Sequence, residues 1–251
     1  MNWTNLKTIM IYFLIGMNIF LIICMAIFTH NENAVPDDVL QAACTLLRDD
    51  GFEIEPNILP DSYISLPAIK ATFYSPSDLS DMFFGKQLPF RTKGDSLIAS
   101  ENGATLTVNQ NSFSYENGNS KKEASHGKIK RKLKKAGINM RGAVYDEKTG
   151  YFYRMYKGYN LFNMYIKASL DDKGNICSIS AQWPSTLSAQ SAKRFSFTKH
   201  VPTLKDKFST RGKIKNIECG YELKLIGGNK YVFMPSWRVA VGRESVILNI
   251  Q

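Results

Sequence analysis

Thr8-Ile9-Met10-Ile11-Tyr12-Phe13-Leu14-Ile15-Gly16-Met17-Asn18-Ile19-Phe20-Leu21-Ile22-Ile23-Cys24-Met25-Ala26-Ile27-Phe28-Thr29 is an uncharged run of 22 residues. A helix of about 20 apolar residues spans a bilayer core of roughly 30 Å. The run therefore predicts a single N-terminal transmembrane helix over residues 8–29. Nothing later in the chain is comparable. A cleaved secretory signal has a shorter apolar region, typically ~7–15 residues, and a small-residue cleavage site. This run ends on bulky Ile27 and Phe28, so retention is expected. Leu21-Ile22-Ile23-Cys24 carries Ile23 where a lipidation signal needs a small residue. Lys7 precedes the run, and Glu32, Asp37 and Asp38 follow it. Positive residues tend to stay cytoplasmic. The expected arrangement is a short cytoplasmic end over 1–7 and an extracytoplasmic body, held at the cell membrane by one crossing. Gly16 and Asn18 are candidate partner-helix contacts. A small residue lets helices approach, and an amide in lipid seeks a partner; a tolerated solitary Asn is the alternative.

Downstream, 37–50 reads as an amphipathic helix closed by Gly51, with Val39, Leu40, Ala42, Ala43, Leu46 and Leu47 on one face at helical spacing. Residues 52–55 alternate like a strand, and 63–74 reads as extended. Ser75-Pro76-Ser77-Asp78 starts a short helix that Gly85 ends. Residues 96–100, 104–108 and 112–116 form a meander, and the Lys-rich 120–136 a helix. Asp146-Glu147-Lys148-Thr149-Gly150 and Asp171-Asp172-Lys173-Gly174-Asn175 have the chemistry of hairpin turns. A short helix over 201–208 and strands over 214–226, 230–241 and 245–250 close the chain. The expected fold class is α+β: the transmembrane helix followed by two small lobes of antiparallel sheet with packed helices. The first lobe covers 30–120 and the second, basic and β-rich, 121–251.

Charge divides in the same way. Residues 1–120 carry 6 Lys/Arg and 13 Asp/Glu, a net of −7; residues 121–251 carry 26 and 9, a net of +17. Lys121, Lys122, Lys128, Lys130, Arg131, Lys132, Lys134 and Lys135 form a candidate basic surface. On the outside of a cell such a surface suits anionic wall polymer or lipid headgroups, and nucleic acid is not an expected partner. A solvated face that keeps the domain soluble is the other reading.

Signatures of chemistry are missing. No His-Glu-x-x-His, Gly-x-Ser-x-Gly or phosphate-loop motif occurs. His30, His126 and His200 are isolated, and the four cysteines show no metal spacing. No catalytic, cofactor-binding or metal residue is therefore expected. Ser125-His126-Gly127-Lys128 and Lys148-Thr149-Gly150 match two elements of penicillin-recognising enzymes. Only about 20 residues separate them, the Ser-Asp-Asn element is missing, and the second match falls in a turn, so coincidence is the reading. Tyr145, Tyr151, Tyr153, Tyr156, Tyr159 and Tyr165 form an aromatic cluster that suits cross-strand packing or a peptide or sugar platform.

Several motifs in order carry a family likeness. The opening Met1-Asn2-Trp3-Thr4-Asn5-Leu6-Lys7-Thr8-Ile9, Asn18-Ile19-Phe20-Leu21, Val35-Pro36-Asp37-Asp38-Val39-Leu40 and Leu47-Arg48-Asp49-Asp50-Gly51-Phe52-Glu53-Ile54 are followed by Tyr156-Lys157-Gly158-Tyr159-Asn160-Leu161-Phe162-Asn163, by Asp171 to Asn175 before Trp183, and by Met234-Pro235-Ser236-Trp237-Arg238-Val239. Together the chain resembles the YycI family, extracytoplasmic regulators of the WalK (YycG) sensor histidine kinase of Gram-positive bacteria. The resemblance implies a non-catalytic, membrane-anchored regulator of a two-component system in cell wall homeostasis. It also implies a YycH-like partner, transmembrane and extracytoplasmic contacts, and β-rich lobes related to PepSY-type domains. The basic helix is no hallmark of that family. The alternative expectation is an extracytoplasmic binding module for anionic cell-wall polymer or lipid headgroups.

Overall fold

Strands dominate: among the described residues 45% are strand and 27% helix. The computed structural model describes residues 3–118, 124–227 and 230–249. Two units emerge, each assembled from separated stretches of sequence. The first takes Met1–Ser65, Arg194–Ile217 and Ala240–Glu244; the second takes Leu66–Lys193, Glu218–Val239 and Ser245–Gln251. Neither corresponds to a single stretch such as 30–120 or 121–251.

The first unit begins with helix α1 (Trp3–Asn33) and helix α2 (Asp37–Asp49). Among the described residues no helix is long and apolar enough to cross a membrane, which overturns the transmembrane anchor expected over 8–29. α2 forms as its sequence dictates. Pro36 precedes it, Asp37 and Asp38 sit in its first turn, and Ala43 and Leu47 are its buried residues. Gly51, at φ 85°, turns the chain out of the helix, and the Phe52 amide donates to the Leu47 carbonyl (2.8 Å). The strand expected over 52–55 shrinks to a bridge: the Glu53 amide donates to Gly212 O (3.1 Å) and the Ile214 amide to Glu53 O (2.8 Å). Beside it lies the short helix α5 (Val201–Leu204). Phe208, just beyond, meets Phe52 edge-on at 5.9 Å, and Arg211 covers the Phe52 ring at 5.1 Å.

In the second unit β1 (Ile64–Phe73) leads to helix α3 (Pro76–Phe84). Ser75 Oγ accepts from the Asp78 amide (3.1 Å) and Asp78 Oδ2 accepts from the Ser75 amide (3.3 Å), a complete capping box. β2 (Arg91–Lys93), β3 (Ser96–Glu101), β4 (Ala104–Val108) and β5 (Phe113–Glu116) follow as an antiparallel meander. Helix α4 (His126–Lys135) then covers the sheet. Two hairpins come next: β6 (Ala143–Asp146) with β7 (Tyr151–Tyr156), and β8 (Tyr159–Leu170) with β9 (Ile176–Gln182). β10 (Pro184–Phe195), β11 (Ile214–Leu225), β12 (Tyr231–Val241) and β13 (Glu244–Asn249) complete the strands.

These thirteen strands make one sheet, in the order β10-β1-β12-β11-β8-β9-β5-β4-β3-β2, with β13 on β12 and β6-β7 branching from β8. The expectation of two small antiparallel lobes is corrected on two counts. The sheet is continuous because β9 pairs across the supposed halves with β5, placing Phe113 opposite Ala181. It is also mixed, since β11 runs parallel to β8. One face is apolar by strict alternation: Leu106, Phe113, Phe152, Ile166 and Ile179 point into a core that Leu79 of α3 and Ile129 and Leu133 of α4 close. The residues between them, Val144, Tyr151, Tyr153, Tyr165 and Lys167, are therefore left on the opposite face.

Candidate functional site

The β6-β7 turn sets the site. Asp146 Oδ1 accepts from the Lys148 amide (3.0 Å), Oδ2 from the Thr149 hydroxyl (2.9 Å), and its carbonyl from the Gly150 amide (2.9 Å). An aspartate closing its own turn in this way fixes the hairpin register, and it confirms that Lys148-Thr149-Gly150 is turn chemistry. Val144 then stands opposite Tyr153, and Tyr153 opposite Tyr165. Tyr151 stacks on Tyr165 with centroids 5.5 Å apart, and Lys167 lies 5.2 Å over the Tyr151 ring.

Beyond Tyr153 the β7-β8 ladder splits. Tyr153 faces Tyr165 but Met155 faces Asn160, so two steps on β7 match five on β8. β8 is pushed away from β7, and residues 162–164 pair with none of β7, β9 and β11. Asn163, at φ 64°, makes the kink. Asn tolerates the left-handed region better than most side chains, and bulges of this kind re-aim side chains beside functional sites. The split opens a cleft of about 530 Å³ lined by Val144, Tyr151, Tyr153, Met155, Asn160, Leu161, Phe162, Asn163, Tyr165 and Arg238. That volume lies within the range of ligand pockets, roughly 300–1,000 Å³.

Arg238 is the cleft's cation. Its guanidinium carbon sits 4.0 Å from the centre of the Phe162 ring. Burial holds its pKa below the ordinary arginine value, opposed by the nearby Glu218 and Tyr153. Glu218 is engaged by the Asn160 side-chain amide. No carboxylate or other acceptor among the described residues bonds Arg238. A half-buried guanidinium with five unfilled donors is a ready receptor for an anion.

The expected basic surface is partly realised. Ile129 and Leu133 turn inward, leaving Lys128, Lys130, Arg131, Lys134 and Lys135 exposed on α4. Lys132 is half-buried and lines a small hollow with Tyr115 and Asn117. Lys130 donates to the Ala143 carbonyl (3.1 Å). Lys121 and Lys122 lie outside the described residues. The structure does not unite Gly16 and Asn18. Both are exposed on α1, but two residues of helix rotate them about 200° apart, so one contact face does not contain both. Asn18 instead donates its amide to the Leu14 carbonyl (2.8 Å).

The histidines remain apart. His126 stacks on Tyr145 at 4.9 Å, His200 has its pKa lowered by burial, and the side chain of His30 lies outside the described residues. Among the described residues no group of three His, Cys, Asp or Glu is placed to hold a metal ion. The tyrosine cluster divides by strand parity: Tyr151, Tyr153 and Tyr165 reach the cleft, Tyr145 faces the core, and Tyr156 and Tyr159 meet Tyr221 edge-on at 6.1 and 6.5 Å. Arg238, Phe162 and Asn163 were not visible as site residues. The register shift in β8 sets Phe162 and Asn163, β12 brings Arg238 to them, and no local pattern encodes either.

No protein-family model matches the sequence, and no curated protein matches it. Among solved structures, the chain is similar to an uncharacterized protein from Eubacterium rectale at 12% identity, with a TM-score of 0.42, over 79% of this chain and 86% of that one.

Proposed function

We propose that this chain is a non-catalytic regulator that binds a sensor histidine kinase of the WalK (YycG) type, together with a YycH-like protein, on the extracytoplasmic side of the cell membrane. The ordered motifs shared with the YycI family suggest the partners. The observation that carries a binding role is the split-strand cleft, where a rigid sheet presents three tyrosines and an unfilled guanidinium to solvent. A regulator of this kind acts through differential affinity: a few kcal/mol of preference for one kinase conformation shifts its population. The test is co-purification of the full chain with the kinase, scored beside kinase autophosphorylation with and without the chain. Capture together with a changed phosphorylation level supports the reading; capture no better than a mock bait, or capture with unchanged phosphorylation, refutes it.

A second reading has its own observation, the exposed Lys128, Lys130, Arg131, Lys134 and Lys135 of α4. Under it the chain binds anionic wall polymer, tightly in low salt and weakly in high salt. Binding to purified wall polymer that is indifferent to salt rules this out.

A further inference from the structure

The gap in the β7-β8 ladder has the features of a peptide receptor. Residues 162–164 have no ladder partner on β7, β9 or β11, and of the three only Asn163 is exposed, at the kink beside the cleft. Tyr151, Tyr153 and Tyr165 form a packed aromatic wall next to the gap, flanked by Met155 and the half-exposed Val144. Such a wall takes an apolar side chain at little entropic cost, because each tyrosine has only two side-chain torsions to fix. Arg238 supplies a positive charge with no acceptor of its own among the described residues. Most of the lining is apolar or aromatic, which favours a peptide over a sugar, since a sugar would need more polar partners around its ring.

We infer that this cleft binds a short extended peptide segment presenting a carboxylate to Arg238 and an adjacent apolar side chain to Tyr151, Tyr153 and Tyr165. The segment's acidic side chain or terminal carboxylate makes a two-pronged bond to the guanidinium. The source of the segment, an extracytoplasmic stretch of the kinase, rests on the function proposed above; the ligand class rests on the cleft.

Full-length protein is titrated with the fluorescently labelled peptide Glu-Val-Tyr-Val-Glu, its Gln-Val-Tyr-Val-Gln counterpart and trigalacturonic acid. The expected result is saturable binding of the acidic peptide, at least tenfold tighter than the Gln peptide. Arg238→Gln should abolish that preference. Because Arg238 packs on Phe162, a second variant, Val144→Glu, places a repelling carboxylate at an exposed rim position, and it too should weaken the acidic peptide at least tenfold. Equal binding of the two peptides, or unchanged affinity in both variants, overturns the inference. So does binding of trigalacturonic acid without the peptide, which would make the cleft a sugar site. Failure here alongside intact kinase capture removes the cleft proposal alone. Peptide binding with failed kinase capture removes the regulator reading alone.

Discussion

Gly220 lies against Phe162 so closely that a Cβ at position 220 would stand 2.5 Å from Phe162 Cζ and 2.6 Å from the Asn160 carbonyl oxygen. Nothing larger than hydrogen fits, because the parallel pairing of β11 with β8 sets Gly220 opposite Asn160. The ring pressed onto Gly220 is the ring on which Arg238 rests. Gly220→Ala should therefore cost about 1–3 kcal/mol, the usual penalty for overpacking. It should also displace Phe162 and Arg238 together. A urea titration reads the first effect, and loss of acidic-peptide binding in the folded fraction reads the second.

Leu133 is fully buried and its helix neighbours Lys134 and Lys135 are exposed. Leu133→Ala should cost about 2–4 kcal/mol by leaving a cavity beneath α4. The pair Lys134→Gln and Lys135→Gln should leave stability within about 0.5 kcal/mol. That pair should instead flatten the salt dependence of any binding to anionic polymer. If the double variant melts like Leu133→Ala, α4's basic face is structural rather than solvated.

The alternation that buries Leu133 was legible in the sequence, as were the capping residues Ser75 and Asp78, the Asp146 turn and the helix stop at Gly51. Each is set by residues a few positions apart. β10 was not legible: between its buried ends, Pro184 and Phe195, it is mostly exposed and rich in Ser, Gln, Lys and Arg. A sheet-edge strand gains its place from main-chain pairing, which leaves no apolar period to detect. The tyrosines were visible as a cluster, yet their division was not, because one residue of register sends a side chain to the opposite face. The cleft itself depends on Gly220 meeting Phe162 and on Arg238 arriving from β12, contacts that span most of the domain's sequence.

Alkaline pH should destabilise the fold. Burial pushes the Cys219 thiol up to about 12 and raises the Tyr221 and Tyr74 hydroxyls above the ordinary tyrosine value. An acid whose folded pKa is raised stays protonated in the native state while the unfolded chain releases its proton, so stability is full below the unfolded pKa and falls as pH rises through the window. For Cys219 that window runs from 9.0 to about 12. Arg154 opposes the trend. Buried beside Trp183, its pKa is lowered to about 10 from 12.5, and stability attributable to it rises across that interval. Four raised acids, Tyr115 being the fourth, against two lowered arginines, Arg154 and Arg238, predict a net fall from pH 9 upward. Each released proton contributes at most ~1.4 kcal/mol per pH unit. Urea midpoints at pH 8, 9 and 10 check the sign, and Cys219→Ala should make the decline shallower. A midpoint that climbs over this range contradicts the assignment of Cys219 and Tyr221 as buried, protonated groups.

Asn163 holds the split open at φ 64°. Glycine occupies that region without cost, so Asn163→Gly should leave stability unchanged or raise it by up to ~1 kcal/mol. A β-branched side chain is strained there by about 1–3 kcal/mol. Asn163→Val can relieve that strain by returning the backbone to the extended region, which would draw residues 162–164 back toward β7 and close the cleft. Amide exchange distinguishes the two states. In the native chain residues 162–164 lack strand partners and should exchange faster than Tyr165 and Ile166, which are paired on both edges with β7 and β9. Asn163→Gly should keep that contrast and keep peptide binding. Asn163→Val should erase both together while far-UV circular dichroism stays that of the native sheet. If Asn163→Val slows exchange at 162–164 but still binds the acidic peptide, the gap is not where the peptide lies, and Arg238 and the tyrosines alone account for recognition.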